Sequence, residues 1–336
     1  MRLATAFCAA GLLAALGLAA GPAGADPVKL RMGWVVAGAD APLLMFGQPG
    51  IARHDGKSYT LEAIHFAGTP PMITALAAGE LDLAPLAYSS FALSVENARM
   101  DDLRVIADVF QDGVPGYYTN EDMVLRDGPI RTIADLKGKV LTTNGAGSAV
   151  DMALREMLRK HGLDDKRDVT IIESAFPNMK SELAAHKVDL IAGVRPFTAD
   201  PQLRGMARSL FTQRDAIGRS QMIVLTARAA FLAKNKAAIV DFLEDSLRAL
   251  AWYTAPAHHE AAVKRVSDYT RQPAALYAGW LFTKADYYHD PKGVPAVDAL
   301  QANIDLQKHL GYLRDPLTVG KYLDLSLVQA AAARLE

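Results

Sequence analysis

The sequence predicts an α/β fold of about two domains, in which helices cover both faces of largely parallel sheets. Two observations carry this prediction. Short apolar strands alternate with helical segments between residues 29 and 194, as is typical of parallel sheets. One further strand is then followed by a long helical tract, which cannot form a third sheet and is expected to buttress a domain built earlier.

The strands are predicted from short runs of apolar and β-branched residues bounded by turn residues. They are expected at residues 29–36, 60–66, 81–84, 103–110, 123–125, 139–142, 169–172, 188–194 and 221–225. The helices of the final tract are expected at about residues 236–253, 257–270, 274–281 and 295–310. No internal repeat of fixed period is visible.

The helix starts have local signals. Thr69 can cap a helix over residues 72–78, with Pro70 at a position that suits its fixed φ, and Gly79 ends it. Two capping boxes follow, at Thr132–Asp135 and Ser148–Asp151. The second opens a helix with one apolar face that ends at Gly162, and a further helix is expected around residues 180–186.

The first 25 residues are typical of a secretory signal. Arg2 precedes an apolar run over residues 4–20, and Ala23 and Ala25 form a small-residue cleavage pattern before Asp26. The alternative is a membrane anchor, for which the run is short. Because the single cysteine, Cys8, lies in this segment, the mature chain is expected to have neither disulfides nor thiolate metal sites.

The composition excludes some classes of partner. The chain has 51% hydrophobic and 22% charged residues and a net charge of −1, so it offers no basic field for nucleic acid or anionic lipid.

Three strand-to-helix loops of small polar residues are candidate anion sites, at residues 68–70, 144–148 and 176–178. Helix N-termini present unpaired N–H groups and a partial positive charge, and ligands of open α/β sheets bind at this end of the strands. The alternative is that each loop only caps its own helix.

Four segments resemble the periplasmic substrate-binding proteins of ABC transporters for sulfonates, nitrate and taurine (the SsuA-like family). They are FAGT at 66–69, ALAAGELDLA at 75–84, IRTIADLKGKV at 130–140 and LAAHKVD at 183–189. The last departs from the family pattern, since His186 and Lys187 stand where a glycine is usual. The resemblance extends from about residue 29 to about residue 230.

This resemblance implies a type II periplasmic binding fold, with two lobes joined by two crossover strands and a helical C-terminal tract on the first lobe. Lobe one is expected at residues 26–122 plus 221–336, and lobe two at residues 123–220. The implied protein is a monomer in the periplasm that captures a small organic anion by hinge closure and delivers it to the membrane permease of an ABC importer. It needs no cofactor and no metal, and it is not an enzyme.

The resemblance also places pocket residues, by position in the fold. Arg195 departs from the family, and its guanidinium can bind a carboxylate or sulfonate bidentately or lie solvated at the rim. Trp34 can pack against the ligand or belong to the core. The predicted ligand-binding residues are Trp34, Val36, Thr69, Tyr88, Ser89, Asn144, Gly147, Ser148, Asn178, Arg195 and Phe197.

Alternatives to a small anion and to a transport protein remain open. Trp34, Tyr88 and Phe197 can stack a ring, so an aromatic carboxylate or a pyrimidine precursor of thiamine is also compatible. An enzyme or a sensory module on the same fold is a further alternative. The sequence lacks the nucleophile-elbow, phosphate-loop and zinc-protease motifs, and His258 and His259 are adjacent in a predicted helix, where they point about 100° apart.

Overall fold

The computed structural model describes residues 26–36, 40–66 and 68–336, so the predicted signal at residues 1–25 lies outside the described residues. The strands are β1 (Val28–Trp34), β2 (Tyr59–His65), β3 (Ala84–Ala87), β4 (Leu103–Asp112), β5 (Glu121–Leu125), β6 (Val140–Thr143), β7 (Thr170–Glu173), β8 (Ile191–Gly193), β9 (Ala207–Thr212) and β10 (Ser220–Arg228). The helices are α1 (Ala41–Leu44), α2 (Thr69–Ala77), α3 (Tyr88–Glu96), α4 (Ala149–Lys160), α5 (Phe176–Ala184), α6 (Pro201–Met206), α7 (Gln213–Ile217), α8 (Ala229–Thr254), α9 (His259–Thr270), α10 (Val297–His309) and α11 (Ser326–Ala333). Within the described ranges, no helix is both long and apolar enough to cross a membrane.

The first lobe is built on the strands β1 to β4 and β10. Strands β1 and β2 pair in parallel, and β10 lies between β3 and β4, antiparallel to both. An isolated parallel bridge between Met32 and Leu83 joins the two groups. The strands therefore follow the order β2-β1-β3-β10-β4, with one antiparallel strand in an otherwise parallel arrangement.

The second lobe repeats this arrangement with β5 to β9. Strands β6 and β7 pair in parallel, and β5 lies between β8 and β9, antiparallel to both. The parallel bridge between Leu141 and Leu190 connects them. The order is β7-β6-β8-β5-β9. The antiparallel strand is β10 in the first lobe and β5 in the second.

Two of the four segments that resemble the family each contain an aspartate that connects neighbouring strands of a sheet. Asp82 accepts hydrogen bonds from the backbone N–H of Arg31 at 3.0 Å and from its guanidinium at 2.8 Å. Asp189 accepts one from the backbone N–H of Val140 at 2.9 Å. Asp82 thus holds β1 against the segment before β3, and Asp189 holds β6 against the segment before β8. These two residues therefore stabilise the fold and do not lie in the candidate site.

The third strand lies three residues later than predicted. Residues 81–84 were expected to form it, but β3 covers Ala84–Ala87. The amides of Asp82 and Leu83 donate to the carbonyl of Arg31, at 2.9 and 3.1 Å, so this stretch is attached to β1 before the ladder with β10 begins. The structure also adds α3 directly after β3, together with β9, neither of which the sequence predicted.

The helical tract packs on the first lobe, as expected. Helix α8 buries an apolar face that includes Ile239, Phe242 and Leu243, and its Asp245 accepts hydrogen bonds from Tyr59 and from the backbone of His54. The helix predicted at residues 274–281 is wrong: only a short 3₁₀ turn, Ala274–Leu276, forms there. Tyr277 and Trp280 of this segment are buried, so it is anchored by its aromatic side chains.

Candidate ligand-binding cleft

A cavity of about 120 Å³ lies between the two lobes and is called the chamber below. The first lobe contributes the ends of β1 and the start of α2, and the second lobe contributes the loop after β6 and the start of α4. Five of the residues predicted from the sequence line it, namely Val36, Thr69, Asn144, Ser148 and Arg195. Thr69 and Ser148, which belong to different lobes, therefore share one cavity.

The N-terminus of α4 supplies backbone donors to the chamber. Ser148 has an extended backbone and its Oγ accepts the N–H of Asp151 at 3.3 Å, which starts the helix. Ala149 and Val150 occupy the first two helical positions and line the chamber. Their N–H groups have no carbonyl partner within the helix, so they are available to an anion.

The capping box predicted at Ser148 is only half formed. The carboxylate of Asp151 accepts the N–H of Gly147 at 2.8 Å, whereas the N–H of Ser148 donates to the carbonyl of Gly145 at 3.1 Å. Gly147 has a φ of +75°, a left-handed conformation that favours glycine. Asp151, in the first turn of α4, therefore fixes the loop that precedes this helix.

The other two predicted helix starts are poorer donors. In α2, Pro70 and Pro71 follow Thr69, and in α5, Pro177 follows Phe176. Proline has no N–H group, so each of these helices has lost donors from its first turn. The N–H of Asn178 in α5 is already bonded to the carbonyl of Ala175 at 2.9 Å. Of the three loops, the one before α4 thus retains the most unpaired N–H donors.

Arg195 lies half-buried at the edge of the chamber. Its guanidinium carbon is 4.3 Å from the ring centroid of Tyr118 and 5.3 Å from that of Trp280. Nε donates to the carbonyl of Ala285 at 3.3 Å, and Nη1 to the hydroxyl of Thr198 at 3.4 Å. The guanidinium is therefore stacked and oriented, unlike the solvated rim arginine that the sequence left open.

Asp40 places a carboxylate at the first-lobe side of the chamber. The residue is 5% exposed, and its Oδ2 accepts the N–H groups of Val35 and Val36 at 2.8 and 3.3 Å. Burial raises the pKa of Asp40 to about 6, and the two backbone bonds oppose that rise. An anion is therefore better placed against the second lobe than against the first.

Asn120 and Tyr287 line the chamber beside Arg195. The hydroxyl of Tyr287 donates to Oδ1 of Asn120 at 2.7 Å and accepts the backbone N–H of Arg195 at 3.2 Å. The amide nitrogen of Asn120 donates to Gln213 at 3.1 Å. This network joins the helical tract to the second lobe. By contrast, Oδ1 of Asn144 is buried and has no hydrogen-bond partner among the described residues.

A second, larger cavity of about 540 Å³ shares Val35, Val36 and Phe176 with the chamber. It is called the mouth below. Trp34 and Phe197, both predicted from the sequence, line the mouth and not the chamber. Both lobes contribute aromatic side chains to its lining, and its polar side chains include Lys180 and Asp200, which form an ion pair at 2.5 Å.

Four predicted residues lie outside the lining of both cavities. Tyr88 is fully buried, and its hydroxyl donates to the carbonyl of Ala149 at 3.3 Å, so it braces α4 from the first lobe. Ser89 is fully buried in α3. Gly147 packs against Tyr312, whose hydroxyl donates to Asp151 at 2.8 Å, and Asn178 is exposed on α5.

The sequence analysis did not single out several residues that line the chamber. Ala149 and Val150 were signalled by the capping pattern at Ser148, although only the cap itself was named. Asp40 and Tyr287 had no local signal, because each reaches the chamber through tertiary packing. The residues of this group are Asp40, Asn120, Ala149, Val150, Phe176, Met222, Ile223 and Tyr287.

One group of side chains in the described part of the chain has the spacing of a metal site, and it lies away from the cleft. His54, Asp241 and Glu244 bring their ligand atoms within 4.8 Å of one another. Arg334 contacts both carboxylates, at 2.6 and 3.3 Å, and Arg248 contacts Glu244. Because arginines already neutralise these carboxylates, the group is explained as an ion-pair network that holds the C-terminus against α8.

Comparison with solved structures shows the fold. The periplasmic aliphatic sulphonate binding protein SsuA from Escherichia coli superposes with a TM-score of 0.71 at 21% identity, over 88% of this chain and 92% of that one. The periplasmic nitrate-binding protein NrtA from Synechocystis PCC 6803 gives a TM-score of 0.72 at 15% identity, over 92% and 89%. The desulfurization enzyme DSZB gives 0.67 at 13% identity, over 92% and 100%. These similarities confirm the two-lobed α/β fold.

Among curated protein sequences, none matches this chain. A family model does match: that of the NMT1-like family, over residues 23–267. The match covers well over half of the chain and includes the four segments on which the resemblance rests. The chain therefore belongs to the NMT1-like family.

Proposed function

We propose that this protein is the solute-binding component of an importer, which captures a small organic anion in the chamber and delivers it to a membrane permease. The observation that carries the proposal is the convergence of Thr69 from the first lobe with the free amides of Ala149 and Val150 from the second lobe on one cavity. Arg195 adds a cation at the edge of this cavity. Two lobes that share a site in this way can enclose a ligand by hinge closure.

The division of the chain follows from the same proposal. Lobe one comprises residues 26–122 and 221–336, and lobe two comprises residues 123–220. The strand pairing supports this division, since β10 pairs with β3 and β4 of the first lobe and β5 pairs with β8 and β9 of the second. Cleavage of the signal before Asp26 would release the mature protein, as a monomer, into the periplasm.

The anion is expected to bind asymmetrically. The second lobe offers the two amides of α4 and contributes Arg195 to the lining, whereas the first lobe contributes Asp40. Charge-assisted hydrogen bonds from N–H groups are worth about 1.5–3 kcal/mol each in a partly buried site. Sulfonates, taurine and nitrate are the leading candidates by the resemblance, and a carboxylate fits the same donors.

Isothermal titration calorimetry and thermal unfolding with a panel of small anions test this proposal. A true ligand present at a thousandfold excess over its dissociation constant should stabilise the protein by about 4 kcal/mol. Binding should be one to one. If no sulfonate, carboxylate or nitrate raises the unfolding temperature, the chamber is not an anion site.

An enzyme is the second candidate function. The chain shares its fold with a desulfurization enzyme, and a carboxyl group with a raised pKa, that of Asp40, lines the chamber. Incubating the protein with each bound compound and recovering it by mass spectrometry separates the two candidates. A binding protein returns the compound unchanged, whereas conversion beyond one equivalent would establish catalysis.

A further inference from the structure

We propose that the ligand is an aryl monoanion, whose anionic group occupies the chamber while its aromatic ring lies in the mouth between the two lobes. This inference rests on the proposed function and names the ligand class of the same cleft. It follows from the size, the lining and the charge of the mouth.

The two cavities form one continuous cleft of unequal parts. Val35, Val36 and Phe176 line both cavities, so the mouth adjoins the chamber, and a ligand larger than the chamber has the mouth beside it. The chamber measures about 120 Å³ and the mouth about 540 Å³. The donors of α4 therefore stand in a space that suits an anionic head and a few atoms, and the rest of a larger ligand must extend into the mouth.

The first-lobe wall of the mouth carries an aromatic cluster. Trp34 lies at the end of β1, with its ring centroid 4.3 Å from that of His65 and 5.4 Å from that of Tyr269. Tyr269 is one of the few large hydrophobic residues left exposed among the described ones, at 46%. These contacts hold the indole in place without burying it, so the ring of Trp34 is preorganised for a contact in the mouth.

The second-lobe wall carries a matching pair. Phe176, at the start of α5, and Phe197, after β8, stack with ring centroids 6.0 Å apart and an interplanar angle of 25°. Both side chains are half-buried and line the mouth. A planar ring held between this pair and Trp34 would gain offset-stacked or edge contacts from both lobes.

The charges in the mouth indicate that the outer part of the ligand is neutral. Lys180 lines the mouth but pairs with Asp200 at 2.5 Å and with the amide of Gln202 at 3.2 Å. His65 bonds to the carbonyl of Val35 at 3.2 Å. Lys180 is therefore not positioned for a second anionic group, and we infer that the ligand carries one negative charge, at the chamber end.

Matched ligands test the proposal by titration calorimetry. The sulfonate series is methanesulfonate, cyclohexanesulfonate and benzenesulfonate, and the carboxylate series is acetate, cyclohexanecarboxylate and benzoate. All six are singly charged, and the two ring compounds of each series are close in size. An aromatic contact is worth about 0.5–1.5 kcal/mol beyond its buried area, so the benzene compound should bind about fivefold tighter than the cyclohexane compound.

Two variants and a control locate the effect. Trp34→Leu and Phe197→Leu keep apolar bulk but remove an aromatic face from each wall. Each should reduce the preference for benzene over cyclohexane to less than about twofold and leave binding of the smallest anion unchanged. Trp252→Leu is the matched control, because Trp252 stacks on His258 with centroids 4.8 Å apart, outside the cleft. It should leave the preference intact.

The outcomes separate this inference from the proposed function. A preference for the aromatic ring that is lost in Trp34→Leu or Phe197→Leu supports the inference. The inference that an aromatic ring binds in the mouth is overturned if the benzene and cyclohexane compounds bind equally well, or if the preference survives both variants. In either case, binding of the small anions would leave the proposed anion site standing. Failure of all six compounds, and of nitrate and taurine measured beside them, to bind would overturn the proposed function itself.

Discussion

The two walls of the chamber are built from the same strand-loop-helix unit, yet they differ in what they offer a ligand. In the first lobe, α2 begins with Thr69 and then two prolines, and Asp40 adds a carboxylate beside it. In the second lobe, α4 begins with Ala149 and Val150, which retain their N–H groups, and Arg195 lies nearby. Equivalent helix starts in a repeated fold are therefore not equivalent anion sites, because proline removes the donors on which such sites depend.

The variant with the largest expected effect places a proline at the start of α4, where α2 already has two. Ala149→Pro removes one of the two free N–H groups of α4, and the extended backbone of Ser148, with φ −72° and ψ 165°, is compatible with a following proline. We expect anion affinity measured by calorimetry to fall by about 1.5–3 kcal/mol, the range for a hydrogen bond to a charged group.

The reciprocal variant, Pro70→Ala, is the control for Ala149→Pro. It returns an N–H group to α2, and we expect less than about a twofold change in affinity, since the carboxylate of Asp40 stands on that side. Circular dichroism should show both proteins folded. A tight anion complex in the Ala149→Pro protein would mean that α4 is not the anion site.

A smaller loss of affinity is expected for Arg195→Ala. The guanidinium is oriented by the rings of Tyr118 and Trp280 and by Ala285, so it can meet an anion without being ordered first. We expect a loss of about 1–2 kcal/mol in anion binding. Arg195→Lys should restore only part of it, because an ammonium neither stacks nor bonds in the same plane.

Thermal unfolding without ligand shows how much of the Arg195→Ala effect is structural. An unchanged affinity for sulfonates and carboxylates would assign Arg195 to holding Tyr118 and Trp280 rather than to the ligand.

The smallest expected effect concerns Asp40 and pH. Its folded pKa is about 6, above the ordinary value of 3.8, so the carboxyl group is charged at pH 7.5 and largely neutral at pH 5. Since the charged form repels an anion, affinity for a sulfonate should rise about fivefold, or about 1 kcal/mol, as the pH falls through 6. The sulfonate itself does not titrate in this range.

Asp40→Asn should remove this pH dependence and bind at pH 7.5 as the wild type binds at pH 5. By linkage, the raised pKa also makes the folded state more stable as the pH falls from about 6 toward 4, and Asp40→Asn should remove that gain as well. Asp108 lines a neighbouring cavity with Asp40 and has a pKa raised to about 7 by burial. Any pH dependence that persists in Asp40→Asn therefore belongs to Asp108 or another group.

The sequence predicted those parts of the fold that depend on neighbouring residues. The cap at Ser148, the capping box at Thr132, where the backbone N–H donates to Asp135 at 2.8 Å, and the long helix α8 all have local causes. Strand β9 and helix α3 were missed because their apolar residues show no clear period. Tyr88 and Ser89 were predicted to bind the ligand, but α3 begins at Tyr88 and buries both.

The cleft was predictable only in outline. Strand ends and helix starts placed Val36, Thr69, Asn144 and Ser148 together, because their positions follow from the topology. Asp40 and Tyr287 reach the chamber through packing of segments far apart in the chain, which no local pattern records. The separation into chamber and mouth likewise depends on side-chain directions, and so Trp34 and Phe197 were grouped with residues that lie deeper.

In the proposed function, the hydroxyl of Tyr312 bears on the rate of ligand release. It reaches from the helical tract to Oδ2 of Asp151, the same oxygen that accepts the N–H of Gly147 and so fixes the loop before α4. Under the proposed hinge mechanism, opening of the two lobes would withdraw this hydroxyl from Asp151 and so loosen the loop before α4. In that mechanism, ligand release and lobe opening would be coupled, and Tyr312 would influence their rate although it does not line the chamber.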